Sequence, residues 1–268
     1  MNMPGTLWLI PVPLGPCAPQ DCLPAATLGA LRSIDYVIAE SARSARAFLK
    51  SAGHPMPLQA IEIREIGPQP DVAVLLEPIR AGRHGALVSE AGAPCVADPG
   101  AVVVAAAHAL GIPIRPAVGP SALLLALMAS GLEGQRYSFH GYLPVDLAEL
   151  ERALTALEAE SARRDATQIW IEAPYRNDRM LAAGLRCLQG DTRLCVATDL
   201  TLPGESVRTA TVARWRSAPG AGFDRQPSVF LLQASSASAN RSKRPRRETN
   251  RATHRSASPA VQGNSNAR

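Results

Sequence analysis

The chain has 268 residues, of which 46% are hydrophobic, 4% aromatic and 19% charged. That is apolar material for one or two packed domains, which excludes wholesale disorder, and too few rings for a surface that grips single-stranded nucleic acid mainly by stacking bases. The formal net charge of +5 is uneven: residues 234–268 hold eight Lys or Arg and one Glu, a net +7, so residues 1–233 sum to −2. Any electrostatic case for nucleic acid therefore rests on the tail or on a local patch.

In chain order, Thr6–Pro13 predicts a buried strand ending in Pro13-Leu14-Gly15-Pro16. Leu23–Arg32 predicts a helix, Tyr36–Ala39 a short strand and Ala42–Lys50 a helix. Asp71–Ala81 predicts a helix leading to a strand at Ala86–Ser89. Pro99–Leu110 has Pro at its start and Gly111 after its end, the asymmetry of a helix. Ile114–Ala117 predicts a strand, and Ser121–Ser130 a helix closed by Gly131. Strands alternating with helices of about ten residues predict a parallel sheet covered on both faces. Such sheets bind ligands beyond the carboxyl ends of their strands, so the informative loops follow Pro13, Ala39, Ser89 and Ala117.

A second set of elements begins with a strand at Tyr137–His140 and a break at Gly141–Pro144. Asp146 and Glu149 resemble a capping box ahead of a helix whose stripe is Leu147, Leu150, Leu154 and Leu157. Thr167–Glu172, Arg193–Thr198, Glu205–Val212 and Val229–Gln233 predict strands, and Arg176–Leu188 a helix. The close spacing of the last strands suggests some antiparallel pairing. The expected fold class is α/β, with two α/β domains at residues 1–135 and 136–233 and a disordered basic tail at 234–268.

Several chemistries lack their motif. The sequence has no G-x-G-x-x-G, no G-x-x-x-x-G-K-[ST], no H-E-x-x-H and no G-x-S-x-G. Its five cysteines form no CxxC and read as small core residues in a reducing cytosol; the five histidines are scattered, and no metal site is expected. No Lys or Arg precedes Arg32, and the longest apolar run, Ala122–Ala129, is far short of a membrane span of about 20 residues. The expectation is a cytoplasmic protein with no membrane partner.

Two loops carry the chemistry. Ser89-Glu90-Ala91-Gly92-Ala93-Pro94-Cys95-Val96-Ala97-Asp98-Pro99-Gly100 follows a strand and opens a helix, and its small residues leave main-chain groups open to a ligand. Asp98 reads either as part of that site or as a plain helix cap. Gly119-Pro120-Ser121-Ala122 lies at the next strand-to-helix corner, where Ser121 can cap the helix, hold a ligand carboxylate, or both.

With these residues the chain resembles the tetrapyrrole methylase superfamily, the class III S-adenosylmethionine (SAM) methyltransferases. Within it, the sequence is most similar to the branch of bacterial 16S rRNA cytidine 2′-O-methyltransferases. The ordered matches are Leu9–Gly15, Ala39-Glu40-x-x-Arg43, Ser89–Gly100, Gly119–Ala122 with Ala129-Ser130-Gly131-Leu132, Phe139-x-Gly141-Tyr142-Leu143-Pro144, Glu172-Ala173-Pro174-Tyr175-Arg176 and Asp199-Leu200-Thr201. The resemblance implies SAM bound in a cleft between two α/β domains, a homodimer, and RNA or a ribosomal subunit as partner. It implies SAM contacts from Leu14, Gly92, Ala93, Val96, Ser121, Ala122, Glu172 and Leu200.

Methyl transfer from a sulfonium needs alignment, and a ribose hydroxyl needs a base or polariser. Glu40, Glu90 and Glu172 are the candidate carboxylates, and Arg43 stands three residues from Glu40, where the two can pair at a strand-to-helix corner; Glu40, Arg43 and Glu90 are the expected catalytic set. Departures from the RNA-modifying branch are Pro16, Ser41, Ala42, Glu90 in place of an Asp, the stretch Ile61–Gly67 and Tyr175, which fall on the expected acceptor side. Methylation of a small tetrapyrrole-like molecule and SAM binding without catalysis are the competing expectations.

Overall fold

The structure is a computed structural model that describes residues 3–218 and 222–235. Residues 236–268 of the expected tail lie outside the described residues. The first sheet is built from β1 (Leu7–Leu9), β2 (Tyr36–Ala39), β3 (Glu62–Glu65), β4 (Gly85–Val88) and β5 (Ile114–Pro116), in the order β3-β2-β4-β1-β5, and every pairing is parallel. Between them run α1 (Pro19–Cys22), α2 (Ala25–Arg32), α3 (Ala42–Ser51), α4 (Val72–Arg80) and α5 (Ala101–Ala109). Alternate strand residues face opposite layers. Val37, Ala39, Ala86 and Val88 pack with Leu28, Leu31, Phe48 and Leu49 of α2 and α3. Tyr36, Ile38 and Leu87 pack with Leu76 and Ile79 of α4 and Val103 and Ala107 of α5. Such a strand is buried on both faces, hence its unbroken apolar run.

Two details correct the sequence reading here. The first strand stops at Leu9, because Pro11 and Pro13 have no N–H for a ladder; Val12 instead makes an isolated antiparallel bridge to Gly92. The strand β3 is absent from the sequence reading, because its residues Glu62-Ile63-Arg64-Glu65 carry charge at an edge position. Pro78 sits inside α4, and the Val74 carbonyl that its missing N–H leaves free accepts from Arg64 Nη1 at 2.7 Å.

Beyond α6 (Ala122–Ser130) the second sheet contains β6 (Tyr137–Tyr142), β7 (Thr167–Glu172), β8 (Arg193–Thr198), β9 (Ser206–Thr211) and β10 (Ser228–Gln233), in the order β6-β7-β10-β8-β9. Only β6 and β7 are parallel; β7-β10, β10-β8 and β8-β9 are antiparallel. β6 runs two residues past its expected end at His140, through Gly141, whose φ of 64° supplies a bulge that β7 accommodates by a register shift. α7 (Leu147–Arg164) starts where Asp146 accepts from the Glu149 N–H at 3.0 Å. With α8 (Asn177–Cys187) and α9 (Val212–Ser217), a short helix not predicted, it covers one face through Leu154, Met180, Trp215, Phe230 and Leu232.

The other face of the second sheet is covered by α6. Ala126 and Leu127 pack on Ile169, Cys195, Val229 and Leu231, and Leu14 of the first half joins the same cluster. Thus α6 lies before residue 135 in sequence and packs on the second sheet. The two sheets meet at this helix and at the loop after β1. Among the described residues no helix is long and apolar enough to cross a membrane.

Candidate functional site

Because the first sheet is parallel, β1, β2, β4 and β5 end at one edge, and the loops that follow them form one wall of a cleft of about 350 Å³. Leu14, Glu40, residues 89–93 and 96–98, and Ser121 and Ala122 line that wall; Tyr142, Ile171, Glu172, Asp199, Leu200 and residues 227–229 line the other. The size suits a small ligand. The eight residues expected to contact SAM all line this cleft, as do Glu40 and Glu90. Sequence reasoning missed Ile171 and residues 227–229. Pro227, Ser228 and Val229 arrive because the last strand threads between β7 and β8, a pairing that local pattern does not encode.

The loop after β4 is held rather than bare. Gly92 has φ 71°, and both its N–H and its carbonyl are paired with Val12, at 3.1 and 2.9 Å. A Cβ at that position would stand 3.0 Å from Leu14 Cδ2, so the glycine is required by conformation and by space. Asp98 does more than cap: Oδ2 accepts from the Cys95 N–H at 2.8 Å and Oδ1 from the Gly100 N–H at 2.6 Å, while Gly100 is the residue that opens α5. That clamp holds Cys95 and Ala97 in the left-handed region, with φ 69° and 63°. The main-chain N–H groups of Ala93, Val96 and Ala97 find no partner among the described residues. The open donors of the loop therefore include these three, and Gly92 is not among them. Burial pushes the Cys95 thiol up to about 11, which removes it as a nucleophile near neutral pH.

At the next corner Ser121 opens α6 with no side-chain cap, so its hydroxyl and the first N–H groups of the helix are free for an anion. On the opposite wall Glu172 is fully buried at its side chain and pairs with Arg176 Nη2 at 3.0 Å. Its Oε1 accepts from the Ala173 N–H at 2.7 Å, Oε2 is the oxygen of the ion pair, and Arg176 Nε has no hydrogen-bond partner. Buried charge left short of partners is costly, and its retention in a cleft fits a polar ligand group. The turn after β8 is strained, with Asp199 and Thr201 at φ 49° and 70°; Gln226 Nε2 donates to Asp199 Oδ2 at 3.0 Å and steadies it. Open N–H donors, an uncapped helix start and an apolar floor fit an amino-acid-bearing nucleoside such as SAM.

Glu40 lies exposed at the mouth, where partial burial, then the charges of Glu90 and Asp98, hold its carboxyl above the ordinary value of 4.5; a bond from the Glu90 N–H opposes this. Glu90 Oε1 accepts from Ser44 Oγ at 3.1 Å. Arg43 is not brought to them. It is exposed on the first turn of α3, outside the cleft lining, and the expected Glu40–Arg43 ion pair does not form. Glu40 ends a strand and precedes the helix cap Ser41, so the i, i+3 adjacency of a helix does not apply to it. Tyr142 stands 63% exposed at the rim, displayed by the bulge at Gly141. Among the described residues no cluster of His, Cys, Asp and Glu is arranged to hold a metal.

Comparison with known proteins places this geometry. The family described as Tetrapyrrole (Corrin/Porphyrin) Methylases matches residues 9–215. The Ribosomal RNA small subunit methyltransferase I of Xylella fastidiosa is 35% identical over 214 residues, which span 80% of this chain and 75% of that one. That of Pseudomonas aeruginosa is 33% identical over 209 residues, 78% of this chain and 71% of that one. The crystal structure of uroporphyrin-III-C-methyltransferase from Thermus thermophilus shares the fold with a TM-score of 0.51 at 19% identity, covering 89% of this chain and 96% of its own.

Proposed function

The chain belongs to the tetrapyrrole (corrin/porphyrin) methylase family, and from that premise we propose that it is a SAM-dependent methyltransferase that methylates a ribose 2′-hydroxyl of ribosomal RNA in the cytoplasm. Relatives named as methyltransferases of small-subunit ribosomal RNA, matched over most of both chains, support the acceptor class. The observation that carries the reading is the cleft itself, with free backbone donors on one wall and a carboxylate of raised proton affinity at its mouth.

When bound, SAM supplies an electrophilic methyl group on a sulfonium. The chain supplies the rest. The N–H groups of Ala93, Val96 and Ala97, presented by the Asp98 clamp, and the start of α6 at Ser121 and Ala122 hold polar groups of the cofactor. Leu14 and Leu200 close on its apolar parts, and Gly92 leaves room beside Leu14. Glu172, its Oε2 held by Arg176 Nη2 at 3.0 Å, offers its buried carboxylate to a donor of the ligand. Glu40 takes the proton of the acceptor hydroxyl, its basicity raised by partial burial and then by the charges of Glu90 and Asp98. Tyr142 offers a ring at the mouth for the acceptor base. A second copy of the chain covers the exposed apolar residues Leu124 and Met128 on one face of α6, making the homodimer.

Incubation with tritiated SAM and rRNA from a strain lacking the protein tests this. Label should enter the RNA and survive alkaline hydrolysis in dinucleotides, as a 2′-O-methyl group requires. Label confined to small molecules, or to a base, would overturn the assignment.

A further inference from the structure

The helix α3 carries an unusual surface outside the cleft. Its sequence, Ala42-Arg43-Ser44-Ala45-Arg46-Ala47-Phe48-Leu49-Lys50-Ser51, has three cations and no anion. At about 100° per residue, Arg43, Arg46 and Lys50 fall within an arc of about 60°. The opposite side buries Ala45, Phe48 and Leu49 in the core of the first sheet. The three cations are exposed and make no ion pair among the described residues. Elsewhere Arg83, Arg136, Arg163, Arg164 and Arg186 each reach a carboxylate. Arg43 sits in the first turn, where the macrodipole disfavours positive charge, whereas Lys50 sits in the last turn, where it is favoured. What sets the stripe apart is that three exposed cations without an ion pair share one helix face with no anion between them.

Its position says what it meets. β2 ends at the cleft and α3 begins at the rim, tied there by the bond from Ser44 Oγ to Glu90 Oε1. The stripe therefore starts within one turn of Glu40 and Glu90 and leads away from the cleft. From Arg43 to Lys50 it spans about 10 Å along the axis, the axial length of about three nucleotides of a stacked strand. A small acceptor held inside the cleft never reaches it. A polyanion does, and it needs such a contact, because Glu40, Glu90 and Asp98 repel phosphate and residues 1–233 carry a net −2. Resting on the RNA reading above, we infer that Arg43, Arg46 and Lys50 form a track for the phosphate backbone of the RNA strand flanking the acceptor nucleotide.

The test compares the wild type with Arg46→Ala/Lys50→Ala, Arg46→Glu/Lys50→Glu and the conservative Arg46→Lys, using rRNA from a strain lacking the protein at several salt concentrations. Alanine is the best helix former, so α3 persists, which circular dichroism verifies. For the double alanine variant the expected result is a KM for RNA raised about tenfold with little change in kcat. Its log–log salt slope of binding should be shallower by about 1.4, two cations at about 0.7 each on a single strand. The double Glu variant should be weaker still, and Arg46→Lys should keep the wild-type slope. An unaltered KM and slope in the double variants, with wild type active, would overturn the track alone. Wild type that methylates no RNA would overturn the functional reading and the track with it.

Discussion

At the residue scale, the proposal that Glu40 takes the proton in the chemical step sets two expectations of opposite sign. Burial and the charges of Glu90 and Asp98 hold its folded carboxyl above 4.5. A base must be deprotonated, so kcat should fall with falling pH along a limb centred above 4.5, and Glu90→Gln should move that limb toward acid. A pH–rate profile of wild type and variant reads this directly. Glu40→Gln should lower kcat about 100-fold or more and leave SAM affinity near wild type. The same raised proton affinity means that the folded state binds more protons than the unfolded one between the two pKa values. Stability is therefore lost as pH rises through that window, and Glu40→Gln should have the higher Tm at neutral pH. Gly92→Ala should weaken SAM binding about tenfold by calorimetry, because a Cβ strains φ 71° and drives Leu14 into the cleft. The small residues at 91–93 were legible in the sequence as a loop beyond a strand's carboxyl end, and they line the cleft. That Gly92 spends its own N–H and carbonyl on Val12, and so leaves the donor role to Ala93, Val96 and Ala97, follows from a bridge 80 residues apart that no local pattern reveals.

Among the elements, the loop from Ser89 to Gly100 behaves as a rigid jaw because Val12 pairs with Gly92 and Asp98 ties Cys95 to Gly100. Asp98→Ala should free two N–H groups, relax the left-handed residues Cys95 and Ala97, and lower SAM affinity about tenfold with only a small loss of Tm, as thermal melts with and without SAM would register. The strands Tyr36–Ala39, Thr167–Glu172 and Arg193–Thr198 have the bounds that the sequence predicts, since a short strand buried on both faces leaves an unbroken apolar signal. Charge hides β3, and two arginines in six residues hide α9. The helix α6 was legible as a helix, but its apolar residues do not say which sheet they cover. Only the topology assigns Ala126 and Leu127 to the second sheet.

The whole molecule places its cleft where the edge of a parallel sheet faces a mostly antiparallel one, joined through α6 and the loop after β1. Exposed Leu124 and Met128 lie one turn apart on α6, and Leu124→Glu/Met128→Glu should convert a dimer to a monomer in light scattering, without a loss of Tm beyond that of dissociation. A dimer that persists would place the interface elsewhere. The deciding experiment is nucleoside mass spectrometry of small-subunit rRNA from cells with and without the protein, complemented by wild type or by Glu40→Gln. One 2′-O-methylnucleoside should vanish without the protein and return with wild type but not with Glu40→Gln. Identical ribose methylation in every strain would contradict the account.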